Sequence, residues 1–415
     1  MTQSPPPNIP LPAASGKLIA TPAGLAEVCD HLRAAGTFAF DTEFIGENTY
    51  QPVLCLIQVA TRERVELIDP IAISRGSMLP FWSLLADPAL EKICHAGDQD
   101  AEIAWLESGL VPQNFFDTQI GAGMVGISYP TALWRAVEHF TGVTLEKAHT
   151  YSAWDRRPLS RDQIAYAIDD VRYLPAIHTA MKAQIESLGH AGWMHAACDE
   201  MCRHSASPVE ARKLFTKIKG SASLQPQQLA VLREITALRE QLAYEQDLPP
   251  RTLLRDEVLF DIAERLPGNL AALARIRGFP AEFPDSFAED LLASVQTGLA
   301  IPEADRPTIF IPGEDPAEVK RLAENLWVAA QVICLGQSVT PGLVTSQNEV
   351  AALARLVHRD KPFDRHPLMS GWHHECLGQK LTALMRGEVK IHLTMQAEAL
   401  RATFDDDRGS EVVPG

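Results

Sequence analysis

Strand-forming patterns stop near Ser205, and no other feature limits the fold of this 415-residue chain as tightly. Before that point, β-branched and aromatic runs bounded by glycine alternate with helical periods. After it, every apolar repeat is helical. A mixed α/β region followed by all-α regions is therefore expected, in two or three domains. Strands are predicted at Thr37–Phe44, Leu54–Ala60, Arg64–Asp69 and Glu91–His95, the first three as an antiparallel meander because their connections are short. Helices are predicted at Phe81–Ala86, Asp98–Leu106 and Thr131–Phe140, and across Arg161–Leu188 with a break at Pro175; Asp117 caps another. The Phe115–Gln119 stretch reads as a loop and cap.

The all-helical part divides in two. Helices are expected at 226–246, 256–265 and 269–275, and again at 316–337, 347–358 and 374–386, on either side of the Pro-rich stretch Pro302–Pro316. Leu248-Pro249-Pro250 followed by Asp256-Glu257-Val258 is echoed by Val339-Thr340-Pro341 followed by Asn348-Glu349-Val350, and Gly278-Phe279 by Gly371-Trp372. Two copies suggest a duplicated module rather than a solenoid. The expected boundaries are a disordered lead over 1–20, an α/β domain over 21–205, a basic linker over 206–223, a helical domain over 224–302, a linker over 303–315, a second helical domain over 316–395 and a disordered acidic tail over 396–415.

Composition narrows the function. A net charge of -16 argues against a protein that coats nucleic acid nonspecifically, though a local basic patch can still grip a strand end. There is no apolar run near twenty residues, so no membrane span is expected. No basic stretch precedes an apolar core at the N-terminus, so no signal peptide is expected either. The seven cysteines are scattered and odd in number, which points to free thiols and a cytoplasmic home.

On the Thr37–Phe44 strand, Asp41 and Glu43 share a face while Phe38, Phe40 and Phe44 share the other. Two neighbouring carboxylates repel unless a cation lies between them, and hard divalent cations take such ligands. Alone, the pair equally fits an edge strand with a wetted acidic face. His95-Ala96-Gly97-Asp98-Gln99-Asp100 spans a strand-to-helix junction, where either Asp98 or Asp100 could serve as a ligand or as a cap. Tyr166 and Asp170, four apart, share a helix face, with Asp169 turned toward solvent.

In the order Asp-x-Glu, Asp, Tyr-x-x-x-Asp, these residues resemble the DEDD exonuclease superfamily in its tyrosine-bearing branch, and within it the ribonuclease D family. Phe40-Asp41-Thr42-Glu43-Phe44, His95-Ala96-Gly97 with Asp100, and Tyr166 with Asp170 are similar to its three exonuclease motifs. Leu56-Ile57-Gln58, Leu67-Ile68-Asp69-Pro70, Asp117-Thr118-Gln119 and Trp154 with Arg157-Pro158-Leu159 add further likeness across 37–180. The regions 224–302 and 316–395 resemble the helicase-and-RNase-D C-terminal (HRDC) module, the second more diverged.

The resemblance implies a ribonuclease H-like α/β domain with two HRDC-type domains, and a metal-dependent 3′→5′ exoribonuclease that releases nucleoside 5′-monophosphates. Asp41, Glu43, Asp100 and Asp170 would hold two divalent cations, Mg2+ or Mn2+. Asp41 would bridge them, Glu43 and Asp170 would complete the water-activating site, and Asp100 would hold the second ion through waters. Tyr166 would orient the attacking water, since a hydroxyl of pKa ~10 is a poor base at neutral pH. The expected partner is RNA with a single-stranded 3′ end, such as a tRNA precursor, bound by a monomer that uses no nucleotide cofactor. Arg212, Lys213, Lys217 and Lys219 form a basic run that could guide RNA, or could be a solvated linker helix. The alternatives are a binding protein with an idle nuclease domain and a DNA exonuclease on the same scaffold.

Weaker patterns point elsewhere. Gly121-Ala122-Gly123-Met124-Val125-Gly126, with Glu146 twenty residues on, matches a dinucleotide fingerprint but lacks a preceding strand, so close helix packing is expected. Cys198, Cys202 and His204, and His373, His374 and Cys376, lack a paired Cys-x-x-Cys and read as helix positions rather than zinc ligands. His139, His149 and His178 read as structural or surface residues.

Overall fold

The computed structural model describes residues 11–145, 153–207, 211–280, 285–309, 315–396 and 399–406. Six strands form one mixed sheet: β1 (Ala13–Ile19), β2 (Thr37–Ile45), β3 (Val53–Ala60), β4 (Arg64–Ile68), β5 (Glu91–Cys94) and β6 (Phe115–Asp117), in the order β1-β4-β3-β2-β5-β6. β3 and β4 pair antiparallel, from Ile57 opposite Ile68 to Ala60 opposite Val65. β1 with β4, β2 with β5, and β5 with β6 are parallel. The acidic strand β2 lies between β3 and β5, which removes the edge-strand reading of Asp41 and Glu43. Phe38 and Phe40 are fully buried on its other face, whereas Phe44 is only half-buried.

Eight helices flank this sheet: α1 (Pro22–Ala35), α2 (Leu79–Ala86), α3 (Asp98–Ser108), α4 (Thr118–Met124), α5 (Leu133–Thr141), α6 (Arg161–Arg172), α7 (Leu174–Ser187) and α8 (Ala191–Ser205). Pro175 falls in the first turn of α7, so the expected break is the start of a new helix. The disordered lead expected over 1–20 is corrected in its second half. Ala13–Ile19 is an edge strand whose order comes from the backbone: Ala13 N–H donates to Glu63 O at 3.0 Å, and Asp69 N–H donates to Ile19 O at 2.9 Å. Residues 1–10 lie outside the described ones.

The chain forms two compact units. One comprises 1–43, 54–206 and 315–415; the other comprises 44–53 and 207–314. The second unit contains α9 (Ala211–Leu214), α10 (Pro226–Glu245), α11 (Pro250–Leu253), α12 (Asp256–Arg265), α13 (Leu270–Leu273) and α14 (Asp285–Leu299). Pro226 at the first turn and a Gln225–Gln228 capping box begin α10. Its apolar face packs with Leu259, Ile262, Leu291 and Val295. Of the segment 206–223, expected as a linker, the described residues 211–223 are folded into this unit, because Phe215 and Ile218 are buried in the same core. The segment 44–53 joins it through Tyr50, whose N–H donates to Asp247 at 3.1 Å and whose ring meets Tyr244 edge-on.

In the first unit, α15 (Ala317–Gly336), α16 (Pro341–Val344) and α17 (Gln347–His358) repeat the sequence of elements α10, α11, α12. Each set has a twenty-residue helix, a single turn opened by proline, and a third helix. This supports the duplication seen in the sequence. Thr340 N–H donates to Gly123 O at 2.9 Å, and Trp372 Nε1 donates to Glu200 at 3.2 Å, tying this region to α4 and α8.

The expectation of no strands beyond Ser205 is also corrected. β7 (Val389–Gln396) and β8 (Ala399–Asp406) form an antiparallel hairpin in register from Val389–Asp406 to Gln396–Ala399. The start of the expected acidic tail is thus a strand, and Asp405 pairs with His392 at 2.7 Å instead of repelling its neighbours into solvent. Asp407 lies outside the described residues. No helix among the described residues is long and apolar enough to cross a membrane.

Candidate active site

β2 outlasts its parallel neighbour. β5 pairs with it only from Thr37 to Ala39 and ends at Cys94, so the far end of β2 has backbone groups to spare on that side. Gly97 turns the chain from β5 into α3; a Cβ there would come within 2.5 Å of Cys94 Sγ, so only glycine allows so tight an entry. α3 then delivers Asp100 to Thr42. The Thr42 hydroxyl donates to Asp100 Oδ1, and the Thr42 backbone N–H donates to the same carboxylate. Asp98 and Asp100 differ in placement: Asp100 is buried, while Asp98 is exposed in the first turn of α3.

α6 supplies the opposite side. Ser160 and Gln163 close a capping box at its start, and Ala167 and Val171 bury its inner face. This turns Tyr166 and Asp170 toward β2. Asp41, Glu43 and Asp170 each offer an oxygen atom within 4.8 Å of the other two, the one such group of His, Cys, Asp or Glu among the described residues that could hold a metal ion. Asp100 stands outside that tight trio, held by Thr42, but its charge acts on all three. Asp169, as expected, turns away and pairs with Arg172 at 3.4 Å.

The electrostatics are those of crowded, buried carboxylates. Burial, then the charges of Asp100, Asp170 and Glu43, hold Asp41 well above the ordinary carboxylate range. Burial, then Asp170 and Asp100, push Glu43 up to about 8. Asp170 is raised by burial and by Asp169, and Asp100 is raised by burial despite its bonds from Thr42. Burial and the neighbouring carboxylates also raise Tyr166, whose hydroxyl hydrogen-bonds Asp170 and so remains a proton donor. Buried Asp170 Oδ2 has no hydrogen-bond partner. An orphaned oxygen beside crowded carboxylates is the donor set that a hard divalent cation satisfies.

Thr42 joins the site only in the folded chain, through its bond to Asp100. Its signal is a hydroxyl between two acids on a strand, but its partner lies 58 positions away. Lys213, Lys217 and Lys219 are exposed in the helical unit, with Arg212 in α9. The glycine cluster packs as expected: a Cβ on Gly121 or Gly123 would strike Met181 or Leu343. Contrary to the expected loop, β6 does precede α4; the glycines are committed to packing instead. Cys198, Cys202 and Cys376 are buried free thiols. His178 is buried against Glu91, at 3.1 Å, and His139 is exposed; Glu146 and His149 lie outside the described residues.

Comparison with known proteins adds an independent line. A family model described as a 3′-5′ exonuclease matches residues 17–186, and one described as the HRDC domain matches residues 228–295. Ribonuclease D of Gluconacetobacter diazotrophicus is 33% identical over 375 residues, covering 90% of this chain and 94% of its own. Ribonuclease D of Escherichia coli K12 is 31% identical, covering 89% and 98%. The crystal structure of Escherichia coli RNase D, described as an exoribonuclease involved in structured RNA processing, superposes with a TM-score of 0.78 at 29% identity, over 89% of this chain and 98% of that one.

Proposed function

Since the chain belongs to the ribonuclease D family, we propose that it trims the 3′ ends of structured RNAs, tRNA precursors among them, at the carboxylates gathered on β2, α3 and α6. It is a 3′→5′ exoribonuclease of the DEDD class. The single observation that carries the site assignment is the convergence of Asp41, Glu43 and Asp170 with an orphaned oxygen on Asp170.

Asp41, Glu43 and Asp170 would hold divalent metal, with Asp100 completing the set from the Thr42 side. Mg2+ or Mn2+ suits an all-carboxylate donor set. Bound there, divalent cations supply the positive charge that offsets the negative charge on the attacking and leaving oxygens of a phosphodiester. The chain's own contribution is positional. Tyr166, kept protonated among carboxylates, has a hydroxyl that can orient a water beside Asp170. The exposed Lys213, Lys217 and Lys219 offer phosphate contacts for the RNA body. No nucleotide cofactor enters this scheme.

The test is a 5′-labelled RNA with an unpaired 3′ tail, incubated with Mg2+ or Mn2+ beside a matched DNA strand. A shortening ladder with release of nucleoside 5′-monophosphates is expected on the RNA, lost with chelator and in Asp41→Ala. Undiminished trimming by Asp41→Ala would refute the assignment.

A further inference from the structure

The carboxylate centre is assembled from two halves far apart in the chain: Asp41 and Glu43 on the sheet, and Tyr166 and Asp170 on α6. Their separation must hold to a fraction of an ångström for both halves to serve one cluster. Ala167 and Val171 are buried on the inner face of α6, and apolar contact of this kind is non-directional. The segment just before α6 contains a more directional element.

Arg157 lies three residues before the Ser160 cap, and all five of its N–H groups are engaged. Nε donates to Asp69 Oδ2 at 2.8 Å and Nη2 to Asp69 Oδ1 at 2.7 Å, a two-pronged ion pair. The other Nη2 hydrogen goes to Cys55 O at 2.7 Å. Nη1 donates to Trp154 O at 2.8 Å and Arg156 O at 3.0 Å. Asp69 follows β4 directly and is 4% exposed; Cys55 is on β3, the neighbour of β2. One planar group thus ties the sheet to the segment that leads into α6. On the same segment, the buried Trp154 ring lies 6.0 Å from the Tyr166 ring. Burial alone would raise the Asp69 carboxyl, yet the Arg157 guanidinium holds it below the ordinary range, so the pair is charged when formed.

We propose that Arg157, through Asp69, is a positioning residue for the carboxylate centre: it sets the placement of Tyr166 and Asp170 on α6 relative to Asp41 and Glu43 on β2. The inference rests on the metal-binding reading of that centre. A lysine cannot replace the arginine, because a point charge on a flexible stem has three donors and no fork.

The experiment titrates Mn2+ by calorimetry into the full chain as wild type, Arg157→Lys, Asp69→Asn and the double variant, alongside steady-state kinetics on a short unpaired RNA. Both single variants are expected to bind Mn2+ about tenfold more weakly and to lose about tenfold in kcat, with KM little changed. The double variant is expected to be no worse than the poorer single, as for two groups acting as one unit. Wild-type Mn2+ affinity and kcat in both variants, even with a lowered melting temperature, would overturn the proposal by leaving the clamp a purely structural one. Losses that add fully in the double variant would overturn it too. Asp41→Asn separates the two readings: if it binds Mn2+ like wild type, the metal site itself is misassigned and the inference falls with it.

Discussion

Four carboxyl groups crowd around the end of β2, and the cost of that crowding is open to measurement. A carboxyl whose pKa is higher in the folded than in the unfolded chain binds more protons when folded, so stability falls as pH rises between the two values. For Glu43 that window runs from an ordinary 4.5 to about 8, and Asp41, Asp100 and Asp170 shift in the same direction. The melting temperature of the metal-free protein is therefore expected to decline from about pH 5 to about pH 8. Asp41→Asn should make the decline shallower, and Mg2+ added at the alkaline end should restore the lost stability. A melting temperature flat across this range in the wild type would contradict the crowding. Tyr166→Phe removes only the hydroxyl; it is expected to lower kcat at least about tenfold while Mn2+ affinity by calorimetry stays near wild type. At this scale much was legible. The period of two on β2 placed Asp41 and Glu43 together, and the period of 3.6 on α6 placed Tyr166 with Asp170. Thr42 was not legible, because its bond to Asp100 exists only once α3 is brought beside a strand that has lost its neighbour.

Helices with a local apolar period were readable; a strand ordered only by a distant partner was not. α12 and α17 fall at the predicted residues, 256–265 and 347–358, because their apolar spacing is local, and in α17 a Ser346–Glu349 capping box adds to it. β1 escaped because its side chains are largely exposed and its order comes from hydrogen bonds to β4. The β7–β8 hairpin did carry a signal, the alternation of Lys390, His392 and Thr394 with Ile391, Leu393 and Met395, at the end of the span expected to be helical. A prediction at this scale concerns the crossing of α10 and α14. A Cβ on Gly298 would lie 2.5 Å from the Val231 Cα, backbone that cannot swing aside. Gly298→Ala is expected to destabilise the helical unit by about 1–3 kcal/mol, seen as an earlier urea transition, while hydrolysis of a short unpaired RNA proceeds at the wild-type rate. An unchanged transition would mean that the two helices can separate without loss.

For the whole molecule, domain order in sequence and unit membership in space disagree. The boundary near residue 205 marks where strand patterns stop, yet the unit that contains the sheet also includes 315–415. A fragment ending at residue 206 is expected to melt well below the full chain and to lose nuclease activity, because Gly123 would face solvent where Leu343 packs, and Glu200 would lose Trp372. Circular dichroism and the labelled-RNA assay on that fragment check this; a fragment as stable and active as the whole would show the last hundred residues to be dispensable to it.

The split has a consequence in time. A ribosome makes this chain from one end, and domains generally fold as they emerge. All of the helical unit, 44–53 with 207–314, has been synthesised before the last quarter of the chain exists. The unit with the carboxylates, although it begins first, can be finished only after Thr340, Leu343 and Trp372 have been added. The nuclease is thus the first part begun and the last completed, and a nascent chain stalled short of those residues holds all four of the crowded carboxylates without the finished unit around them.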